Sequence, residues 1–221
     1  MNFNFEWFFN LFPIVLPSLK MTIGISLLSL IFTLFLSIVI SIFRYYRVPV
    51  INRLFGYYIT FFRATPLVAQ LFILYFGLPT VIVSLQSMSA FQATVIALTL
   101  NTSAFMAENF RAALESVNKG QLEACYSMGM TKYQTMIRAV LPQAFVVALP
   151  SIGNQFIGII KGSALGFTVG LADIMSAAKI EAALSTRFFE AYLCVTIIYL
   201  ILVVLVEKVQ NILENYVAKL Y

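Results

Sequence analysis

Lys161 follows 22 uncharged residues, Ala139 to Ile160, and precedes Gly162, Ser163, Ala164, Leu165 and Gly166. A lysine at the end of so long an apolar run offers an ammonium to a carboxylate. The glycines behind it favour a broken helix, which exposes backbone groups and dipole ends. The same lysine also has the reach to snorkel to the outer headgroups, and composition leaves both roles open. Arg63 presents a similar choice. It lies ten residues beyond Arg53, about 15 Å along a helix, which either carries it toward a membrane interior or leaves it as an edge anchor. Asn101, Thr102 and Ser103 fall inside an uncharged run, where amide and hydroxyl groups bond neighbouring helices or line a wet path. Glu108 and Arg111 have the i, i+3 spacing of an interfacial ion pair. Asp173 and Glu181 precede the last apolar run and meet either a ligand ammonium or outer water.

The remaining inventory excludes most catalysis. There is no histidine, and Cys125 and Cys194 stand 69 residues apart without metal-ligand or CxxC spacing. Zinc, haem and Ser-His-Asp chemistry find no support, and no catalytic, metal or cofactor-binding residue is assigned. No GxxxxGK[ST] loop is present to cradle ATP phosphates. The net charge of +5 is scattered, with no more than two basic residues in any four. It therefore reads as a topology signal, and nucleic acid is not a partner.

Of the 221 residues, 61% are hydrophobic and 10% charged, too few polar groups to coat a soluble domain. Lipid must cover much of the surface. At about 20 residues per crossing the length allows five or six spans in one domain, 1–221. Met21 to Phe43 is one uncharged run of 23 residues. Ala64 to Ala107 is another of 44, twice a span, with a turn signal near residues 79–89. An all-α membrane protein of five spans results, at about 17–43, 57–79, 88–110, 137–160 and 187–208. Arg44, Arg47 and Arg53 follow the first span, and Arg111, Lys119, Lys132 and Arg138 separate the third from the fourth. The positive-inside rule puts both clusters in the cytoplasm, the N-terminus outside and the C-terminus inside. Trp7, Phe8, Phe9, Leu11 and Phe12 suggest a short interfacial helix rather than a removable signal.

The polar loop of about 112–136 is patterned. Asn118 with Gln121, and Thr131 with Gln134, have the spacing of reciprocal helix caps, and Gly129 is a natural stop between two short helices. The first helix puts Leu122, Cys125, Tyr126 and Met128 near one side as an apolar ridge, which either packs on the chain's own helix ends or docks another protein.

Glu123 and Ala124, Gly129 six residues after the glutamate, and Leu141-Pro142 twelve and thirteen residues beyond that glycine resemble the EAA loop of ABC importer permeases. That pattern reads Glu-Ala-Ala, three residues, Gly, nine residues, Ile, one residue, Leu-Pro. Cys125 and Ala139 depart from it conservatively. Phe62-Arg63-Ala64-Thr65-Pro66-Leu67, Leu100 to Phe105, Ala107-Glu108, Arg111-Ala112-Ala113 and Leu141 to Ala144 are similar to the polar amino acid branch of that superfamily, so the resemblance covers most of the chain.

The resemblance implies a type I importer (MetI-like) permease fold. It assigns Leu122, Glu123, Ala124, Cys125, Tyr126, Gly129, Leu141 and Pro142 to coupling with a cytoplasmic pair of ABC ATPase subunits, which hold ATP and magnesium in place of this chain. It also implies a second permease chain, identical or different, and an extracytoplasmic solute-binding protein, in a multi-pass chain of the cell membrane. Arg63, Asn101, Thr102, Ser103, Lys161 and Ser163 become the substrate path. A polar L-amino acid is the implied solute; Lys161-Gly-Ser-Ala-Leu and Arg187-Phe-Phe-Glu190 look most like cystine-type permeases. The alternative is an ion-coupled secondary transporter or channel using Lys161, Asp173 and Glu181.

Overall fold

The computed structural model describes residues 3–219, and every regular element among them is helical. In chain order these are α1 (Phe5–Val15), α2 (Leu19–Tyr45), α3 (Ile51–Ala64), α4 (Leu67–Phe72), α5 (Leu78–Val81), α6 (Ala90–Glu115), α7 (Lys119–Ser127), α8 (Lys132–Thr135), α9 (Leu141–Ser163), α10 (Ile174–Ser185) and α11 (Phe188–Ala218). Four helical runs are long and apolar enough to cross a bilayer, Phe5–Tyr45, Ala90–Glu115, Lys132–Val169 and Phe188–Ala218. A fifth is added when the bent pair Ile51–Ala64 and Leu67–Val81 counts as one.

α6 lies at the centre, packed by α2, α3, α4 and α9. Close approach there depends on one face of α2. Thr22, Ser26, Ser29, Thr33, Ser37 and Ser41 recur every three or four residues and are all buried, while Phe35 and Ile31 on the other faces are exposed. A soluble helix is arranged the other way round. In lipid the apolar side chains face outward, and small side chains let backbones approach. Ser26, Ser37 and Ser41 donate to carbonyls of their own helix. α6 answers with Ala93, Thr94, Ala97, Thr102, Ser103, Ala104 and Ala107, also buried.

Two prolines set the local winding. Leu78-Pro79 follows a π turn at Ile73–Gly77, and Leu141-Pro142 follows another at Met136–Val140. Proline has no N–H and its ring crowds the carbonyl four residues back. The wider i→i+5 rung moves that carbonyl aside.

At three points the structure departs from the sequence expectations or decides between them. The sharpest helix break is not at Lys161 to Gly166, where α9 runs on to Ser163 and then into a 3₁₀ turn at Ala164–Val169; it is in the second span, bent by 107° between Ala64 and Leu67. The N-terminal aromatic stretch forms α1, which buries Phe8, Leu11 and Val15 with Ala178 and Ala182 of α10 and Cys194 of α11, and joins α2 through a 3₁₀ turn at Leu16–Ser18. Asp173 does not face outer water. It is fully buried and caps α10, its Oδ1 accepting from Ser176 N at 2.9 Å. Burial pushes its carboxyl up to about 6, opposed by the backbone N–H donors of Ser176 and Met175.

Ser29→Leu is expected to force α2 off α6 and lower stability by about 1–3 kcal/mol. Exposed Phe35→Leu should leave it unchanged. Thermal unfolding in detergent, followed by thiol labelling of buried Cys194, compares the two.

Candidate functional site

The broken span supplies the first candidate site. Thr65 is extended (φ −112°, ψ 145°) because a following proline disfavours the helical region, and Pro66 continues extended at φ −66°, ψ 137°. The break frees carbonyls in a setting where water cannot reach all of them. Gln70, itself buried, replaces the missing donors: its Nε2 reaches the carbonyls of Phe62 (3.1 Å) and Thr65 (3.0 Å) and the Thr65 hydroxyl (2.7 Å). Its Oε1 accepts from Asn101 Nδ2 at 3.0 Å, and Asn101 also donates to the Phe62 carbonyl at 3.0 Å. One amide from α4 and one from α6 thus hold the corner open. Gln70 does not stand out in the sequence; Ala64-Thr65-Pro66 was the available signal.

The other residues proposed for the path divide between packing and exposure. Thr102 is buried. Ser103 is buried as well, its hydroxyl 2.7 Å from that of Tyr58 on α3, so α3 is tied to α6 just before the break. Ser163 is buried and bonded to the Ile160 carbonyl at 2.8 Å. Arg63 is exposed, its guanidinium 5.4 Å from the centre of the Phe105 ring. Lys161 is exposed on the last turn of α9. A Cβ on the adjoining Gly162 would meet Leu98 of α6 at 3.0 Å and Leu67, the first residue of α4, at 3.4 Å. α9 therefore ends against the far side of the break. Among the described residues neither Arg63 nor Lys161 joins an ion pair.

The elbow between α6 and α9 is the second candidate site. Asn118 caps α7 by accepting from Gly120 N at 2.8 Å. The expected reciprocal bond from Gln121 is absent, because its side chain is bonded to Gln143 of α9 and ties the elbow to that helix. Gly129 ends α7 at φ +80°. Its N–H reaches the Tyr126 carbonyl at 2.9 Å, and Met130 N reaches the Cys125 carbonyl at 3.1 Å, the pair of bonds of a Schellman stop. Thr131 and Gln134 form the full capping box that starts α8. The apolar ridge is split: Leu122 packs against the cluster of Phe110, Ala113 and Val140, whereas Tyr126 is 44% and Met128 84% exposed. Glu123, Ala124 and Leu141 are exposed, and Cys125 and Pro142 are half-buried.

Between these sites runs a charge relay that the i, i+3 spacing showed only in part. Glu108 takes Arg111 at 2.7 Å and also Arg44 of α2 at 3.0 Å, and Arg111 continues to Glu115 at 2.7 Å. Arg44 further donates to the Asn52 side chain at 3.1 Å, binding the α2–α3 corner to α6. Arg44 was legible only as a topology residue, since partners 64 positions apart leave no local pattern.

Residues 34–219 match the family described as binding-protein-dependent transport system inner membrane component. A probable amino-acid ABC transporter permease protein, PatM of Vibrio harveyi, is 45% identical over 221 residues, covering 100% of this chain and 99% of its own length. The L-cystine transport system permease protein TcyL of Bacillus subtilis (strain 168) is 36% identical over 211 residues, with 94% and 88% covered. A crystal structure of an amino acid ABC transporter with histidines superposes at a TM-score of 0.89 with 31% identity, covering 98% of this chain and 100% of that one. An inward-facing MetNI methionine transporter, at 19% identity and a TM-score of 0.78 over 98% and 99%, shares the fold.

Gln70→Leu removes three donated bonds and leaves Asn101 only the Phe62 carbonyl. We expect a loss of about 1–3 kcal/mol, read as a lower unfolding temperature in detergent, with protease cleavage appearing first at residues 62–66.

Proposed function

The chain belongs to the family of binding-protein-dependent transport system inner membrane components, and from that premise we propose that it carries a polar L-amino acid, cystine foremost, past its broken second span. It is a multi-pass permease subunit of an ABC amino acid importer, not an enzyme, and the ATPase is a separate subunit. Membership in this family removes the ion-coupled alternative.

The observation that carries the substrate reading is the pair of exposed cations without carboxylate partners among the described residues. Arg63 stands on one arm of the 107° bend, and Lys161 ends the helix that abuts the other. A guanidinium and an ammonium suit carboxylates. Cystine, a double amino acid, presents two. Relatives at comparable identity are described as cystine (36%), glutamine (35%) and arginine (34%) permeases, so the preference for cystine rests on the two cations and on the Lys161 and Arg187 segments. Buried Thr102, Ser103 and Ser163 belong to this reading as the wall behind the path, and Asn101 as the group that holds it.

We assign the N-terminus to the outside and the elbow and C-terminus to the cytoplasm, where a pair of ATPase subunits with ATP and magnesium receives Glu123, Ala124, Tyr126 and Met128. A second permease chain and an extracytoplasmic receptor complete the assembly. Nucleotide-driven closure moves α7, and α8 and α9 transmit the motion to the end of α9 at Lys161. The solute must be held unequally by the outward and inward forms, since a ligand bound equally by both biases neither; ATP supplies the difference.

Uptake by the reconstituted importer, measured across the twenty amino acids and cystine, is expected to be highest for cystine; a different preferred solute overturns that assignment. Arg63→Gln and Lys161→Gln should each raise the half-saturating concentration by about tenfold or more, the worth of one charge-assisted bond. Unchanged uptake in both removes the cations from the path.

Gly129→Asp places a side chain where φ is +80°, which is strained for any residue with a Cβ. We expect the permease still to assemble in the membrane and nucleotide still to be hydrolysed, with uptake lost. Normal uptake argues against coupling through this elbow.

A further inference from the structure

Four helices bring polar side chains to one buried point. Asp173 caps α10 at the end of a short connector, which Gly170 opens at φ +87° and buried Leu171 pins among Ile25, Val95 and Ile159. Thr22 comes from α2, Ser163 is the last residue of α9, and Tyr199 comes from α11. The Tyr199 hydroxyl faces Thr22, Ser163 and the Asp173 carboxyl. Asp173, Thr22 and Ser163 are wholly buried. Ser163 is bonded to the Ile160 carbonyl, and Asp173 Oδ1 accepts from Ser176 N. Asp173 Oδ2, Thr22 Oγ1 and the Tyr199 hydroxyl are buried without a partner among the described residues.

These surroundings offer the carboxyl hydroxyls and no cation. Lys20 of α2, Lys161 of α9 and Lys179 of α10 are all exposed, Lys179 standing 4.9 Å from the centre of the Phe167 ring. Arg187 is taken by Glu190 of α11. Glu6 of α1 is exposed, and Glu181 of α10 adds only negative charge. Cys194 of α11 lies in the apolar cluster that joins α1, α10 and α11. No ion pair reaches Asp173 among the described residues. A carboxylate at such a point has lost its water and gained no counter-charge, whereas the carboxylic acid is neutral and can donate to the oxygens around it.

We propose that Asp173 binds a proton and serves as a pH-sensitive latch: the neutral acid seats α10 against α2, α9 and α11, and ionisation loosens it. The burial that lifts its carboxyl from 3.8 to about 6 acts in the same sense. The fold keeps a proton that the opened chain releases, so the latch is firm below about pH 4 and weakens as pH climbs through about 6. Ser163 follows Lys161 by two residues, so loosening here reaches the end of α9. The latch does not rest on the substrate reading.

Asp173 is the only aspartate of the chain, so aspartate carrying carbon-13 in its side-chain carboxyl labels one position. The full permease labelled in this way and purified in detergent should show one such resonance, titrating with a midpoint near pH 6. A midpoint near the ordinary aspartate value of about 4 overturns the proposal. So does a midpoint that moves with sodium chloride but not with choline chloride, which would assign the centre to a metal cation. Seating of α10 is read at buried Cys194, whose modification by dithiodipyridine is located by mass spectrometry of its peptide. Asp173→Asn keeps a capping side chain and is neutral at every pH. Relative to that variant, modification of the parent should rise about a hundredfold between pH 4 and pH 7, the worth of a shift from 3.8 to about 6. A constant ratio overturns the latch. The resonance titration uses the parent chain alone, so it decides the proton site even where the variant fails to fold.

Discussion

A backbone placed in hydrocarbon must satisfy its own polar groups, and this fold departs from continuous helix where that demand is hardest to meet. Thr65 and Pro66 interrupt the second span, and the carbonyls they release find donors on Gln70 and Asn101. Those two amides belong to α4 and α6, so the corner is stable only while α3, α4 and α6 stay together. Tyr58 and Ser103 reinforce the same union one step earlier. The corner is consequently a satisfied break, held by side chains of this chain itself.

Packing around the corner follows from a second demand. Apolar association cannot drive one helix against another in a solvent as apolar as leucine, so contact has to come from closeness. The hydroxyl stripe of α2 and the alanines and threonines of α6 give that closeness. The charge relay at the end of α6 then fixes the angle between α2, α3 and α6, with Glu108 as the shared acceptor. Below it the chain leaves the membrane, and the elbow begins on a scaffold that is already rigid.

Much of this was legible in the residues. Uncharged runs marked the long helices, and the paired caps with Gly129 located the elbow because capping is local chemistry over three or four residues. The proline-induced bend was missed, since Ala64-Thr65-Pro66 reads equally as a helix start and nothing nearby shows that the helix before it continues. The hydroxyl stripe was overlooked because the apolar count of α2 hides an inverted face. Asn101 was singled out for the path, yet its amide is occupied by the Phe62 carbonyl and by Gln70, a partner 31 positions away. Asp173 was left open between a ligand ammonium and outer water; α10, the helix it caps, buries it. The partners of Asn101 and Arg44 lie 31 and 64 positions away, where no local pattern reaches.

The π turn at Met136–Val140 stores one surplus residue between the elbow and α9. Rewinding it into ordinary α-helix would swing everything before Met136 by about 100° in azimuth relative to Leu141 and its successors. It would also press the Pro142 ring against the carbonyl of Arg138. The proline therefore acts as a ratchet pawl: the shaft between elbow and bundle resists rewinding in one sense.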